Sequence, residues 1–306
     1  MYNNQMGKRA EKSNTLARKG AKRRLIVFAA VIALTIVFGS GCVNAKAPSG
    51  PAPGPESGSA LKGEILIAAA VSIQNALEGE LIPMFNKKHP DIKVTGTYDS
   101  SGKLQTQIEY GLGAQLFFSA SSRQMNALVE GGFIDAATVV DLLENEVVLV
   151  AGAGAKTTVT GFENITDAAS IAIGDPGSVP AGQYAEEILT SLGSWDLVKA
   201  RASHGTNTTE VTRWVSEGSA EVGIVFITDA ANVKNKVRVI AVPPEGSLKT
   251  PVVYPVGLMT GLGDKAEAAQ ALIEFLKSPE ALEVYEKYGF KAGPGARGSS
   301  GAGPAN

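Results

Sequence analysis

Four short stretches of the chain combine hydroxyl side chains, small residues and the opening of a helical pattern. They are Ala70-Val-Ser72, Thr97-Tyr-Asp-Ser-Ser-Gly-Lys103, Gly174-Asp-Pro-Gly-Ser-Val-Pro-Ala-Gly182 and Gly205-Thr-Asn-Thr-Thr-Glu210. A hydroxyl at such a junction sits beside backbone N–H groups that have no intrahelical acceptor, and at the positive end of the helix dipole, which suits an anion. Each stretch alone reads first as ordinary capping or turn chemistry. Four of them in one chain point instead to a shared site for a polyoxyanion. A tetrahedral dianion offers several acceptors and no proton, so a selective site needs donors only. The hydroxyls of Ser72 and Ser101, with the N–H groups of Ser72, Ser101, Ala181 and Thr208, form such a set. Each hydrogen bond to a charged group contributes about 1.5–3 kcal/mol. A handful, offset by dehydration and closure, reaches the roughly −8 to −12 kcal/mol of micromolar to nanomolar binding.

The elements that must hold these stretches alternate. Residues 65–70 read as a buried strand, and Ser72 as the N-cap of a helix running to His89, with Ile73, Ala76, Leu77, Leu81 and Phe85 at helical spacing and Pro83 as a kink. Strands follow at residues 92–97, 116–119, 147–151, 171–174, 222–226, 237–242 and 253–260. Helices are expected at 101–110, 122–130, 181–192, 209–217, 265–277 and 279–288. Such alternation specifies an α/β fold in which mainly parallel sheets are flanked by helices. The length favours two lobes, and the apolar runs 147–151 and 237–256 are natural crossings between them. Lobe 1 is expected over 64–149 and 242–290, and lobe 2 over 150–241. In open α/β sheets ligands bind beyond the carboxyl ends of strands, where the four junctions fall.

The first 42 residues hold eight Lys/Arg and one acid, then the apolar run 25–38 and Gly39-Ser-Gly-Cys42. This is the shape of a signal peptide, too short to span a bilayer comfortably. Cys42, the only cysteine, reads as the lipidated residue of a lipoprotein. Residues 43–63, rich in Pro, Gly and Ser, read as a flexible tether, and 291–306 as a disordered tail. With 28 basic and 30 acidic residues overall, removal of the leader leaves 20 against 29, a formal net charge of −9. An acidic surface of this kind disfavours nucleic acid as a partner.

The motifs Ala69-Ala-Val-Ser-Ile-Gln-Asn-Ala-Leu77, Ser100-Ser-Gly-Lys-Leu104, Gln115-Leu-Phe-Phe-Ser-Ala120, Gly174-Asp-Pro-Gly-Ser-Val-Pro-Ala-Gly-Gln-Tyr184, Val222-Gly-Ile-Val-Phe-Ile-Thr-Asp-Ala230 and Tyr285-Glu-Lys-Tyr-Gly-Phe290 occur in this order. Together they closely resemble the periplasmic molybdate-binding proteins of ABC transporters. The resemblance implies a two-lobed type II periplasmic-binding-protein fold that closes on molybdate or tungstate and hands it to the permease subunits. It also implies an extracytoplasmic, lipid-anchored monomer without cofactor or catalysis. By position it carries the ligand contacts to Ser72 and Ser101 in one lobe and Ala181 and Thr208 in the other. Many members have a Tyr at the position of Phe226 whose hydroxyl also donates to the oxyanion. Phe226 cannot donate, so either one bond is missing or the Thr208 hydroxyl or Asn207 amide replaces it.

Other readings remain on the residues. Asp99 beside Ser101 could accept a proton from hydrogen phosphate and so select phosphate, although a turn residue bonding backbone amides is the simpler assignment. Sulfate is a further tetrahedral alternative. A secreted serine hydrolase would need a base, yet the only histidines are His89 and His204, with no Gly-x-Ser-x-Gly elbow in the folded span. The same two histidines are too separated to suggest a metal centre.

Overall fold

The computed structural model describes residues 62–297. The expected signal peptide 1–42 with Cys42, the tether up to residue 61 and the end of the tail from residue 298 lie outside the described residues.

In chain order the strands are β1 (Gly63–Ala70), β2 (Ile92–Asp99), β3 (Leu116–Phe118), β4 (Val140–Asn145), β5 (Val147–Gly152), β6 (Ile171–Gly174), β7 (Ser203–Gly205), β8 (Val222–Phe226), β9 (Val237–Ala241), β10 (Val252–Leu258) and β11 (Lys291–Ala292). They form two sheets, in the orders β11-β4-β10-β3-β1-β2 and β7-β6-β8-β5-β9. In the first, β1 runs parallel to β2 and β3, whereas β10 is antiparallel to β3 and β4. In the second, β6 is parallel to β7 and β8, and β5 is antiparallel to β8 and β9. Both sheets are therefore mixed rather than mainly parallel. The reason is the path between lobes: only Glu146 separates β4 from β5, so the chain passes directly from one sheet to the other, and the crossing strands pair antiparallel to their neighbours. The parallel strands with their helices occupy the remainder of each sheet.

The crossing also sets the lobe boundaries. Val147, Val148 and Leu149, expected in the first lobe, pair with β8 of the second sheet, and the return falls between Ala241 and Val252. At the C-terminus, residues 291–297 are structured instead of continuing as a disordered tail. Lys291 and Ala292 pair with β4, Gly293 N donates to Leu142 O at 2.8 Å, and Pro294–Arg297 is a short helix. Composition suggested disorder here because the segment is short and rich in Gly and Ala, although Ala296 is buried in the core and the Arg297 side chain donates to Glu144 Oε2 at 2.8 Å.

The segment after β1 is irregular. Val71–Ile73 is a 3-10 turn, Gln74–Ala76 a single α turn, Leu77–Leu81 a π turn and Ile82–Lys88 an α segment containing Pro83. Proline has no N–H for the preceding turn, and a π turn is one way to absorb that loss. Ser72 is consequently not an N-cap: Ala70 holds that position, and the serine hydroxyl is free for a tertiary contact. The apolar face behaves as its spacing requires, with Ile73, Leu77, Leu81 and Phe85 fully buried.

Candidate functional site

Each of the four junctions lies at the end of a parallel strand, and the fold brings all four to one place. Ser72 follows β1. Ser101 opens the helix Ser101–Glu109 after β2. Pro180 and Ala181 open the helix Pro180–Ser191 after β6, and Thr208 opens the helix Thr208–Ser216 after β7. Ser72, Ser101, Pro180, Thr208 and Phe226 line one cavity between the lobes, which holds about 190 Å³ of non-atom space including its mouth. The room inside it for a bound group, about 10 Å³, is far below the 300–1,000 Å³ usual for organic ligands and leaves space for one small group only. Two larger clefts, of about 870 and 880 Å³, lie beside the crossing segments and behind the Thr208 helix.

Local chemistry explains how each backbone donor is presented. Pro180 occupies the first helical position, where its missing N–H costs nothing, so Ala181 is the first residue of that helix able to donate. Its helix packs tightly onto β6, since a Cβ on Gly182 would lie 2.1 Å from Gly174 O. This explains the two glycines at the ends of that motif. Asn207 caps the Thr208 helix by accepting from Glu210 N at 3.0 Å, leaving the first-turn amides of that helix facing the cleft side.

The hydroxyl hydrogens can be accounted for by counting donors. Ser101 Oγ accepts from Ala120 N at 2.9 Å, which leaves its own hydrogen for an outside acceptor. Ser72 Oγ lies 2.8 Å from the Tyr254 hydroxyl. Burial holds the Tyr254 phenol well above its ordinary pKa, so it keeps its proton. Near Thr208 lies the buried Asp229 carboxyl, whose pKa burial pushes up to about 7. Asn207 Nδ2 gives one of its two hydrogens to Asp99 Oδ1 at 3.3 Å and keeps the other. Ser100 differs: it is 4% exposed, lines the cavity, and its Oγ has no partner.

Asp99 also lines the cavity, but its Oδ1 accepts from Ser100 N at 2.8 Å, Lys103 Nζ at 3.3 Å and Asn207 Nδ2 at 3.3 Å. It ends β2 and makes a contact across the cleft, with its charge offset by Lys103. Further contacts join the lobes: Gly102 N donates to Ser178 O at 3.0 Å, Gln124 Nε2 to Gln183 Oε1 at 3.3 Å and Asn145 Nδ2 to Thr228 Oγ1 at 2.9 Å. Burial raises the phenol of Tyr184 in the second lobe to about 12.

Behind the cavity stands a wall of edge-packed rings. Phe226 meets Tyr184 at 6.3 Å and Tyr254 at 5.7 Å, Tyr254 meets Phe290 at 5.2 Å, and Phe290 meets Tyr285 at 6.3 Å. The closing Tyr-Gly-Phe motif is therefore a packing device that seats Tyr254. The histidines are elsewhere. His89 ends the Ile82–Lys88 helix, stacked on Phe85 at 4.6 Å, and His204 lies on β7, where it is exposed.

Of the residues that sequence reasoning names, Ser72, Ser101, Thr208 and Phe226 line the cavity, whereas Ala181 follows the lining Pro180 without lining it; Ser100, Tyr254, Asn145 and Asp229 are not singled out by sequence. Ser100 could be singled out only by knowing which serine of the pair already has a partner. Tyr254 is 182 residues from Ser72 and carries no local signal.

Two lobes built on mixed sheets, joined by crossing strands and closing over a small donor-lined cavity, are a type II periplasmic binding protein. The chain belongs to the bacterial extracellular solute-binding proteins, the family whose model matches residues 65–291. The relatives it matches are solute-binding proteins rather than enzymes. The chain is 40% identical over 228 residues to the putative ABC transporter substrate-binding lipoprotein YvgL of Bacillus subtilis, a match covering 74% of this chain and 86% of the relative. It is 35% identical over 235 residues to the molybdate-binding protein ModA of Escherichia coli, covering 75% and 89%. Among solved structures, the substrate-binding domain of a putative molybdenum ABC transporter from Clostridium difficile matches with a TM-score of 0.58 at 34% identity, over 74% of this chain and 98% of that one. The Azotobacter vinelandii periplasmic molybdate-binding protein matches with a TM-score of 0.62 at 22% identity, over 74% and 98%.

Proposed function

We propose that this protein captures molybdate, and tungstate with it, outside the cytoplasm and delivers it to the permease of an ABC transporter. The observation that carries the reading is the convergence of four helix-opening junctions on one small cavity. There the Ser101 hydroxyl already has its internal donor, and backbone amides supply the rest. Ser72, Ser101, Ala181 and Thr208 are the assigned ligand contacts, and Ser100 adds an unpartnered hydroxyl in the place of the one Phe226 lacks. The names of the relatives, several of them molybdate-binding proteins, support the choice of ion. The leader and Cys42 support anchoring of a monomer at the membrane's outer face.

Function then follows from differential closure. An ion that contacts both lobes stabilises the closed arrangement by its preference for that form, and the permease reads the closed shape. Sulfate carries the same charge on a smaller tetrahedron, so a cage held by packed helix ends discriminates by bond length. Molybdate and tungstate, nearly equal in size, are expected to bind alike. Thermal denaturation tests this directly, because a ligand at about 1,000 times its Kd stabilises by ~4 kcal/mol. Molybdate and tungstate are expected to raise Tm by several degrees where equal sulfate or phosphate does not. A rise with phosphate alone would overturn the assignment.

A further inference from the structure

One hydrogen-bonded chain runs from the cavity through the crossing strands into the second lobe. Ser72 Oγ and Tyr254 Oη are 2.8 Å apart, Asn145 Nδ2 donates to Tyr254 Oη at 3.0 Å, and the same nitrogen donates to Thr228 Oγ1 at 2.9 Å. Ser72 and Tyr254 belong to the first sheet's lobe, Asn145 is the last residue of β4 before the crossing, and Thr228 lies in the helix Ile227–Asn232 of the second lobe. Tyr254 is fully buried and Ser72, Thr228 nearly so.

The partners of each group constrain the direction of its bonds. Asn145 Oδ1 accepts from Glu146 N at 2.8 Å, which fixes the amide so that Nδ2, a donor only, faces Tyr254 and Thr228. Tyr254 Oη has two partners, Asn145 and Ser72. Since Asn145 donates, the single phenolic hydrogen has one acceptor available, Ser72 Oγ. If Ser72 donated instead, a buried phenolic hydrogen would be left without an acceptor, at the cost of an unmade buried bond. Ser72 therefore accepts from Tyr254, and its own hydrogen is turned toward the cavity. Ser101 reaches the same state by accepting from Ala120 N.

Building on the oxyanion reading above, we infer that Tyr254 and Asn145 are positioning residues that hold the Ser72 hydroxyl as a donor toward the bound anion. Thr228 ties that orientation to lobe closure, because Asn145 bridges to it only across the crossing. A site made of donors only needs this arrangement, since a serine free to rotate presents a lone pair to the anion part of the time.

The test is a calorimetric double-mutant cycle with sodium molybdate on the full chain, comparing wild type, Tyr254→Phe, Ser72→Ala and the double variant. Tyr254→Phe is expected to weaken binding about tenfold, and in the Ser72→Ala background to change it less than twofold, because Tyr254 acts through Ser72. Ligand-free Tm reports whether each variant folds. Asn145→Ala reaches the same contact from the other side and is expected to lose a similar factor, again only when Ser72 is present. Wild-type affinity in Tyr254→Phe, or a tenfold loss that persists without Ser72, overturns the inference. Failure of wild type to bind molybdate, tungstate, sulfate or phosphate instead overturns the oxyanion reading on which it rests.

Discussion

The Gly102 amide donates to the carbonyl of Ser178 across the cleft at 3.0 Å, and a Cβ on Gly102 would lie 2.5 Å from that oxygen and 2.8 Å from Ser178 Cα. Two backbones meet here with no room for a side chain. The glycine of Ser-Ser-Gly-Lys thus serves closure: it lets the Ser101 helix and the loop before Pro180 come together over the cavity.

Gly102→Ala is accordingly expected to weaken molybdate binding by at least tenfold, about 1.4 kcal/mol or more, while leaving ligand-free Tm nearly unchanged, because each lobe folds without this contact. Calorimetry with small-angle scattering checks it. The variant should fail to adopt the compact form that saturating molybdate produces in wild type.

Asp229 makes a prediction about pH. Burial raises its carboxyl from 3.8 to about 7, so the native state holds a proton that the unfolded chain releases at much lower pH. The associated stability is fully present below the unfolded value and is lost as pH rises through about 7. Ligand-free Tm should fall between pH 5 and pH 8. Asp229→Asn, which keeps the shape and cannot ionise, should flatten that slope.

Thr208→Val is expected to alter molybdate affinity by less than about threefold if the residue serves the ion through its backbone N–H, which the variant retains. Ser100→Ala should cost more, roughly tenfold, as expected for losing one bond to a charged group. Calorimetric titration of both variants side by side distinguishes a site that uses Ser100 from one that uses the Thr208 hydroxyl.

Asp99 and Asn207 form a partly exposed contact over the cleft mouth. Exposed polar pairs contribute ~0.2–1 kcal/mol, so Asn207→Ala should raise the molybdate Kd by no more than about fivefold. Asp99→Asn should not create a preference for any other oxyanion. A marked change in phosphate affinity between pH 6 and pH 8 that disappears in Asp99→Asn would assign Asp99 to the ligand.

What was readable in the sequence is what local pattern encodes. The strands at 171–174 and 222–226, the buried helix face of Ile73, Leu77, Leu81 and Phe85, and the helix starts near Ser101, Ala181 and Thr208 all rest on spacing and small-residue turns. Their meeting point is likewise implied by a rule, since ligands gather at strand ends. Strand β4 escaped because Val140-Asp-Leu-Leu-Glu-Asn145 has too few apolar residues in alternation, and β11 because two residues make no pattern. The role of Ser72 could not be read either. A serine after a strand looks like a cap, and only the tertiary position of Tyr254 shows that its hydroxyl is held from the other side. The tyrosine itself reads as one apolar residue in the run 253–260.

The central claim is that the cavity where Ser72, Ser101, Thr208 and the start of the Ala181 helix meet binds a tetrahedral dianion of molybdate size through hydroxyl and amide donors. Calorimetric titration of the purified chain with molybdate, tungstate, sulfate and phosphate tests it most directly. The account predicts one-to-one binding of molybdate and tungstate at micromolar Kd or tighter, with sulfate and phosphate at least about 100-fold weaker, a difference of ~2.7 kcal/mol. Tight phosphate binding without molybdate binding would contradict it.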